Sequence, residues 1–447
     1  VKFVLGLFFL SLVVFAHELG HFIAAKIVGI KVLRFSIGIG KRLIGFSFRG
    51  TDYCVSLLPI GGYCKMSGED SFLKALGKGD AEAVHPPGSF YGAHPLKRIF
   101  VSFMGPFFNF LFSVVALSVL WTVGFSIKSP GNRIILAGDI DPVAGGSPAQ
   151  LAGLLSGDRI VEINGKATDF SFQIREIVEA SAGKSLSLKV QRGQESLDID
   201  VTPALDPSSG TGRMGIYFWV EPKLGPVAKG GPAARAGLMP GDLITAVDGK
   251  AVNSSADIAP ALSGRPLSAL VSYQRGGQAA EAVIYPEYGQ DGSIDLGMDF
   301  VYEEWRSPRL GLLGGLSKGL AESVQELAGI VRSLGLLFRS DPRRSMAGTI
   351  RIAYIVGDAT QAGFAEGVRS GLASLLSTLS IISLSLLVTN LLPIPLLDGG
   401  LILIFLVETI RRKPLKPKTI YRLTMAGFFI VAAIFLFSLI NDIIFFS

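Results

Sequence analysis

The chain has 447 residues, 49% of them hydrophobic and only 17% charged, with a mean hydropathy of +0.47. That composition excludes an ordinary water-soluble domain and points to a membrane protein with substantial polar parts. The net charge of +6 gathers in loops beside apolar segments, so it is a topology signal and makes no case for a nucleic-acid partner.

The first apolar run, Phe3 to Val28, is long enough to cross a bilayer and contains His17-Glu18-Leu19-Gly20-His21. It reads as a span rather than a signal peptide, being too long and carrying a metal motif that cleavage would discard. Positions i and i+4 of a helix share a face, so His17 and His21 can hold one metal ion between them. Glu18 is then placed to act as general base on a polarised water. The alternative is a chance HExxH on a buried helix with its histidines satisfied by other partners. Ionisable groups at membrane depth cost at least about 2.5 kcal/mol each, which makes three together a functional signal. Only two other histidines exist, His85 and His94, both in a Pro/Gly-rich loop that looks solvated.

The loop after this span is rich in Lys and Arg and alternates apolar residues (Phe35, Ile37, Ile39, then Phe46 and Phe48) as strands do. Cys54 and Cys64 lie in it, and no disulfide framework is implied. A second span follows at Ile99–Ile127, with Gly105-Pro106 and Asn109 inside it. Its Lys and Arg residues place the loop between these two spans on the cytoplasmic side and send residues from about 128 to 345 to the opposite one.

That polar region contains a duplication. Ala152-Gly153-Leu154, Gly157-Asp158 and Asn164-Gly165-Lys166 recur at constant spacing as Ala236-Gly237-Leu238, Gly241-Asp242 and Asp248-Gly249-Lys250. The period suits two small tandem domains. Pro-Ala starts a short helix that Gly153 or Gly237 stops, and Asn164-Gly165 and Asp248-Gly249 are strong hairpin turns. Lys184–Gln191 and Leu267–Gln274 read as further strands. The pattern resembles PDZ domains, which bind extended peptides by strand addition at an apolar-Gly-apolar loop. Met214-Gly215-Ile216 and Leu296-Gly297-Met298 fit that loop, so Gly215, Ile216, Gly297 and Met298 are peptide-binding candidates in a circularly permuted arrangement. Plain edge strands in domains that act as spacers are the alternative. Leu310–Phe338 is amphipathic and suits a helix lying on the membrane surface; packing against the PDZ pair is the other option.

The third apolar segment, Leu372–Val407, is too long for one straight span: about 36 residues at ~1.5 Å each would measure ~54 Å against a ~30 Å hydrocarbon core. Pro393 and Pro395 predict a broken helix, tolerated where it lines a cavity. Asp398 follows them and is the only acid between Glu366 and Glu408. Two histidines leave a catalytic zinc one protein ligand short, and Asp398 is the candidate third; it could instead simply cap the next helix. A basic loop from Arg411 to Arg422 and a fourth span at Leu423–Phe446 complete the chain.

HELGH in a first span, with Asn390-x-x-Pro393-x-Pro395-x-x-Asp398-Gly399-Gly400 in a later one, resembles the site-2 protease family of intramembrane zinc metalloproteases (peptidase M50). The tandem PDZ-like repeat points to its bacterial RseP branch, and Gly105-Pro106-x-x-Asn109 and Pro59-x-Gly61-Gly62-Tyr63 extend the likeness. Near Gly348 the chain departs from it, reading Met346-Ala347-Gly348-Thr349-Ile350 where the family has Ser-Gly-Pro-Ile. The resemblance implies one Zn2+ per chain on His17, His21 and Asp398, with Glu18 catalytic. It implies substrate contacts from Asn390, Gly61, Gly62 and Asn109, and a β-hairpin dipping into the membrane that pairs with an unfolded substrate strand. Implied partners are the lipid bilayer, single-pass membrane proteins already shortened by another protease (anti-sigma factors, remnant signal peptides) and peptide ligands of the PDZ pair, in a bacterial inner membrane.

The expected fold is therefore a multi-domain membrane protein. It has an α-helical core of four spans, a membrane-associated β-hairpin region and two tandem, mainly β PDZ domains. The plan is a first transmembrane helix over 1–28, a cytoplasmic loop with the dipping β segment over 29–98 and a second helix over 99–127. PDZ domains follow over 128–220 and 221–303, then an amphipathic surface helix over 304–345. A linker and broken third segment occupy 346–410, and a cytoplasmic loop with the fourth helix 411–447. Two rivals are a PDZ scaffold with a vestigial metal site and a zinc transporter using midplane ligands.

Overall fold

The computed structural model describes residues 2–68, 87–141, 145–206, 210–289, 293–337 and 348–446. His85 and the 346–347 part of the divergent stretch lie outside them. The chain divides into two compact units: Val1–Ser126 with Arg306–Ser447, and Ile127–Trp305.

Among the described residues the first unit holds seven long helices: α1 (Lys2–Ile27), α2 (Pro95–Val123), α3 (Leu312–Leu337), α4 (Thr349–Glu366), α5 (Val368–Asn390), α6 (Asp398–Arg411) and α7 (Pro417–Phe446). Four of them, α1, α2, α5 and α7, are long and apolar enough to cross a membrane. Small residues let these helices approach closely, the usual basis of packing where lipid supplies no hydrophobic drive. A Cβ on Gly20 of α1 would overlap the Met104 carbonyl of α2, and one on Gly6 would overlap the Ala353 carbonyl of α4. Past the end of α1, Gly29 takes a left-handed φ of 81° while Ile30 N–H closes back onto the Ala25 carbonyl at 2.8 Å.

Two helices differ from the sequence expectation. The stretch before the third span is the helix α4, where a linker was expected. Its N-terminus is capped in trans by Asp442 of α7, whose carboxylate accepts from the N–H groups of Gly348 (2.8 Å), Ile350 (3.1 Å) and Arg351 (3.2 Å). The amphipathic helix α3 is the other. It packs lengthwise on α2: Cβ atoms on Gly315 and Gly319 would run into Thr122 and Ser118. Further along, Ser113 of α2 bridges Ser323 of α3 (2.9 Å) and Ser380 of α5 (2.7 Å). The surface helix of the sequence reading is thus a packed one, because its Gly315, Gly319 and Ser323 form a small-residue stripe one turn apart.

Strands β1 (Val32–Phe48) and β2 (Thr51–Met66) are both bent, so the expected hairpin is a fuller sheet. Phe46 pairs with Tyr53 next to the turn, whereas Phe35 pairs with both Tyr53 and Cys64. Residues 34–37 are therefore central and Gly62–Met66 form a flank. Gly38 (φ 85°) and Gly40 (φ 103°) make the bend in β1, and Gly61 (φ 76°) the bend in β2.

The second unit contains the duplication. Its first half has a four-stranded sheet ordered Lys166–Ala167, Arg159–Ile163, Leu186–Arg192, Glu195–Val201, and its second half repeats this as Lys250–Ala251, Leu243–Val247, Ala269–Arg275, Gln278–Ile284. Each half buries its own apolar core, around Ile160, Ile163 and Leu188 in one and Ile244, Val247 and Val271 in the other. Asn164 and Asp248 take φ near 50° ahead of Gly165 and Gly249, as the predicted hairpin turns require. A duplicated clamp also emerges. Arg192 grips Asp158 through two bonds of 2.8 Å and Arg275 grips Asp242 through two of 2.7 Å.

Candidate metal centre

α1 carries His17 and His21 one turn apart with both side chains buried. Their Nε2 atoms are 3.1 Å from each other. The loop after α5 brings the third group. α5 stops at Asn390, and Pro393 and Pro395 then hold the backbone in tight turns, with Ile394 N–H bonded to the Leu392 carbonyl (2.8 Å) and Leu397 N–H to the Ile394 carbonyl (2.9 Å). α6 begins at Asp398 with Leu397 as its N-cap residue and no side-chain cap. Freed from capping, the Asp398 carboxylate reaches His17 Nε2 at 3.1 Å and His21 Nε2 at 3.4 Å. Gly399 and Gly400 permit this approach, because a Cβ on either would overlap a carbonyl of the same loop.

These donors suit zinc. His, His and carboxylate with one open position is a catalytic zinc set. Four ligands at ~2.0 Å from a tetrahedral centre lie ~3.3 Å apart, close to the 3.1 Å between the two Nε2 atoms and to the 3.1 Å from His17 to Asp398 Oδ2 and 3.4 Å from His21 to Asp398 Oδ1. The three donor atoms all fall within 4.8 Å of one another.

α2 forms the back wall. His21 Nδ1 lies 2.8 Å from the Val101 carbonyl, so Nδ1–H donates there and the Nε2 lone pair faces Asp398. Pro106 deprives the neighbouring Ser102 carbonyl of its helical donor, which loosens the turn beside that contact. Gly105 lies directly under both imidazoles; a Cβ there would overlap His21 Nε2. α2 is pinned to α6 by the buried pair Arg98–Glu408 at 2.6 Å, with the guanidinium 4.5 Å above the Phe405 ring. That clamp helps hold Asp398 in register with the histidines.

Glu18 faces the β sheet. A Cβ on Gly62 would lie 3.5 Å from Glu18 Cγ, and the Cys64 backbone hydrogen-bonds to its carboxylate. Gly61 sits alongside, near Val14. Asn390 is half-buried at the end of α5. Asn109, expected among the substrate contacts, is fully buried, with Nδ2 3.2 Å from His17 Nδ1; its side chain presents no surface to a substrate. Sequence reading missed the Val101 carbonyl and the fit at Gly105. The Gly-Pro pair in an apolar span was the one signal that could have found them.

A family model for peptidase family M50 matches residues 5–434. The chain belongs to peptidase family M50. It is therefore a zinc metalloprotease of the membrane, and its His17, His21 and Asp398 form the candidate site for one Zn2+. A relative from Treponema pallidum, named as a candidate zinc metalloprotease, is 35% identical over 445 residues, covering 99% of each chain. One from Neisseria meningitidis with a similar name is 30% identical over 92% of this chain and 91% of that one. The regulator of sigma E protease of Haemophilus influenzae is 28% identical over 98% of each. This M50 protein is thus related along its length to the regulator-of-sigma-E proteases.

In the second unit, Gly215 and Ile216 line a cavity of 350 Å³ with Ile174, Val178 and Tyr302. Ile216 pairs with Leu136 on its other side. The equivalent Met298 pairs with Val227, and the Gly297 carbonyl accepts from Ala228 N–H at 2.8 Å.

Proposed function

We propose that this M50 protease cuts the membrane-embedded segments of single-pass membrane proteins already shortened by a first cleavage, anti-sigma-factor-type proteins and remnant signal peptides among them. The observation that carries this is the His17–His21–Asp398 cluster, two of its members on the membrane-spanning-length α1, with Glu18 beside it against the β sheet. Zinc held there supplies Lewis acidity to a substrate carbonyl and to water. Glu18 takes the proton from that water and returns it to the departing amine nitrogen. The β2 flank that begins at Gly61 and Gly62 is the edge along which an unwound substrate strand pairs, and Gly61, with nothing closer than 3.8 Å to a Cβ there, leaves room for a substrate side chain. Asn390 holds the substrate backbone near the metal.

The repeated halves of the second unit are two PDZ domains that filter substrates by the size of their exported part. The groove beside Gly215 and Ile216 supports peptide capture in the first, and Gly297 and Met298 occupy the equivalent loop of the second. Basic loops put the active site toward the cytoplasmic face of a bacterial inner membrane, with the PDZ pair on the other side. The test uses the full chain in detergent and a single-pass substrate trimmed to its membrane segment. Glu18→Gln should keep its zinc and lose at least about 100-fold in cleavage rate. Cleavage by that variant at the normal rate would refute the assignment.

A further inference from the structure

His17 is oriented differently from His21. The Val101 carbonyl can only accept, so it sets one tautomer of His21. Behind His17 stands a carboxamide, which can donate or accept by turning over. Asn109 is fully buried, its Nδ2 is 3.2 Å from His17 Nδ1, and among the described residues its Oδ1 has no hydrogen-bond partner. A buried amide oxygen without a donor costs about 1–3 kcal/mol, so its presence on this wall calls for a compensating role. Asn109 is also anchored from outside: its own carbonyl accepts from Ser383 Oγ of α5 at 2.9 Å. The side chain thus projects from a backbone held between α1 and α5.

A histidine that ligates zinc through Nε2 must carry its proton on Nδ1, and that N–H needs an acceptor. We propose that Asn109 is the positioning residue for His17: with its carboxamide turned over, Oδ1 accepts from Nδ1–H and presents the Nε2 lone pair to the metal. The same turn gives the orphaned oxygen its donor. The two zinc-ligating histidines are thereby supported from one helix, by the Val101 carbonyl and the Asn109 carboxamide two turns on. The inference rests on the zinc reading of the site, and it makes Asn109 part of the metal centre instead of the substrate cleft.

Zinc affinity measured on the full chain by competition with a chromophoric chelator tests it, together with the visible spectrum of the Co2+-substituted protein. Asn109→Leu, of similar volume and without an acceptor, should bind zinc about 10- to 100-fold more weakly and shift the Co2+ bands. Asn109→Asp retains an acceptor and should bind within about threefold of the original, a rescue that simple filling of space would not produce. Zinc affinity unchanged in Asn109→Leu overturns the proposal, as does a loss in Asn109→Asp equal to that in Asn109→Leu with helicity intact. Should Asn109→Leu fail to fold, Asn109→Ala, which also lacks the acceptor, takes its place with the same expected loss, and zinc affinity unchanged in it overturns the proposal. Failure of the unaltered chain to bind zinc would sink the metal reading itself, a distinguishable outcome.

Discussion

Gly105→Ala is the smallest change that should empty the metal centre. The added methyl would overlap His21 Nε2 and lie 2.5 Å from His21 Cε1 and 2.9 Å from His17 Cε1. Carbon atoms rest at about 3.5 Å or more, so the imidazoles must withdraw by about 1 Å. Metal sites hold their ligand distances to within about 0.2 Å, which makes the displacement roughly five times the tolerance. Movement of α2 is no easy escape, because Gly20 already rests against the Met104 backbone and Arg98 is tied to Glu408. The expected result is a loss of at least about 10- to 100-fold in zinc affinity, with an overpacking cost of about 1–3 kcal/mol. The assay is chelator competition on the purified chain, with thermal unfolding followed by circular dichroism. Gly329→Ala is the control: nothing lies within 4 Å of that Cβ, and the change should leave zinc binding alone. Zinc affinity within about twofold of the original in a folded Gly105→Ala protein would refute the packing argument.

Gly319→Leu should part α3 from α2, since even a Cβ would lie 2.5 Å from Ser118 Oγ and 2.6 Å from its nitrogen; a loss of about 1–3 kcal/mol should appear as a lower melting temperature, and an unchanged melt would contradict the packed position of α3. In the second unit, the Arg275 guanidinium beside Asp242 holds that carboxyl below the usual range. The pair therefore stabilises this unit above about pH 4, the unfolded value, and the contribution fades as pH falls through the lower folded value. Asp242→Asn should lower the unfolding temperature of residues 127–305 at pH 7 and make less difference at pH 2–3, read by limited proteolysis on heating. A penalty independent of pH would count against the ion pair.

The metal ligands were legible because each rests on a local rule. HExxH needs only helical spacing, and Asp398 stands out as a lone acid beyond two prolines in an apolar run. The break between α5 and α6 followed from proline and bilayer thickness. The repeat was equally readable, since Asn164-Gly165 and Asp248-Gly249 fix their turns without outside help. Other features depended on partners far away in sequence. Alternation marked β1 and β2 as strands but could not reveal that residues 34–37 pair on both sides. The Arg192–Asp158 and Arg275–Asp242 clamps join residues whose types give no hint of a partner. α3 looked like a surface helix because Lys318, Glu322, Gln325 and Arg332 interrupt its apolar pattern; that its Gly315, Gly319 and Ser323 fit against α2 depends on a partner far away in sequence.

By itself, then, the sequence determined what the chemistry would be: two histidines and a glutamate on one membrane helix, an aspartate on another segment, and a duplicated polar unit. Tertiary structure decided how those groups meet. Spans have no sequence signal for their mutual depth or rotation, so only the α1–α2 contact through Gly20 and Gly105 and the Arg98–Glu408 clamp could bring Asp398 to both imidazoles. Only the buried wall of α2 could turn Asn109 from a substrate contact into a neighbour of His17.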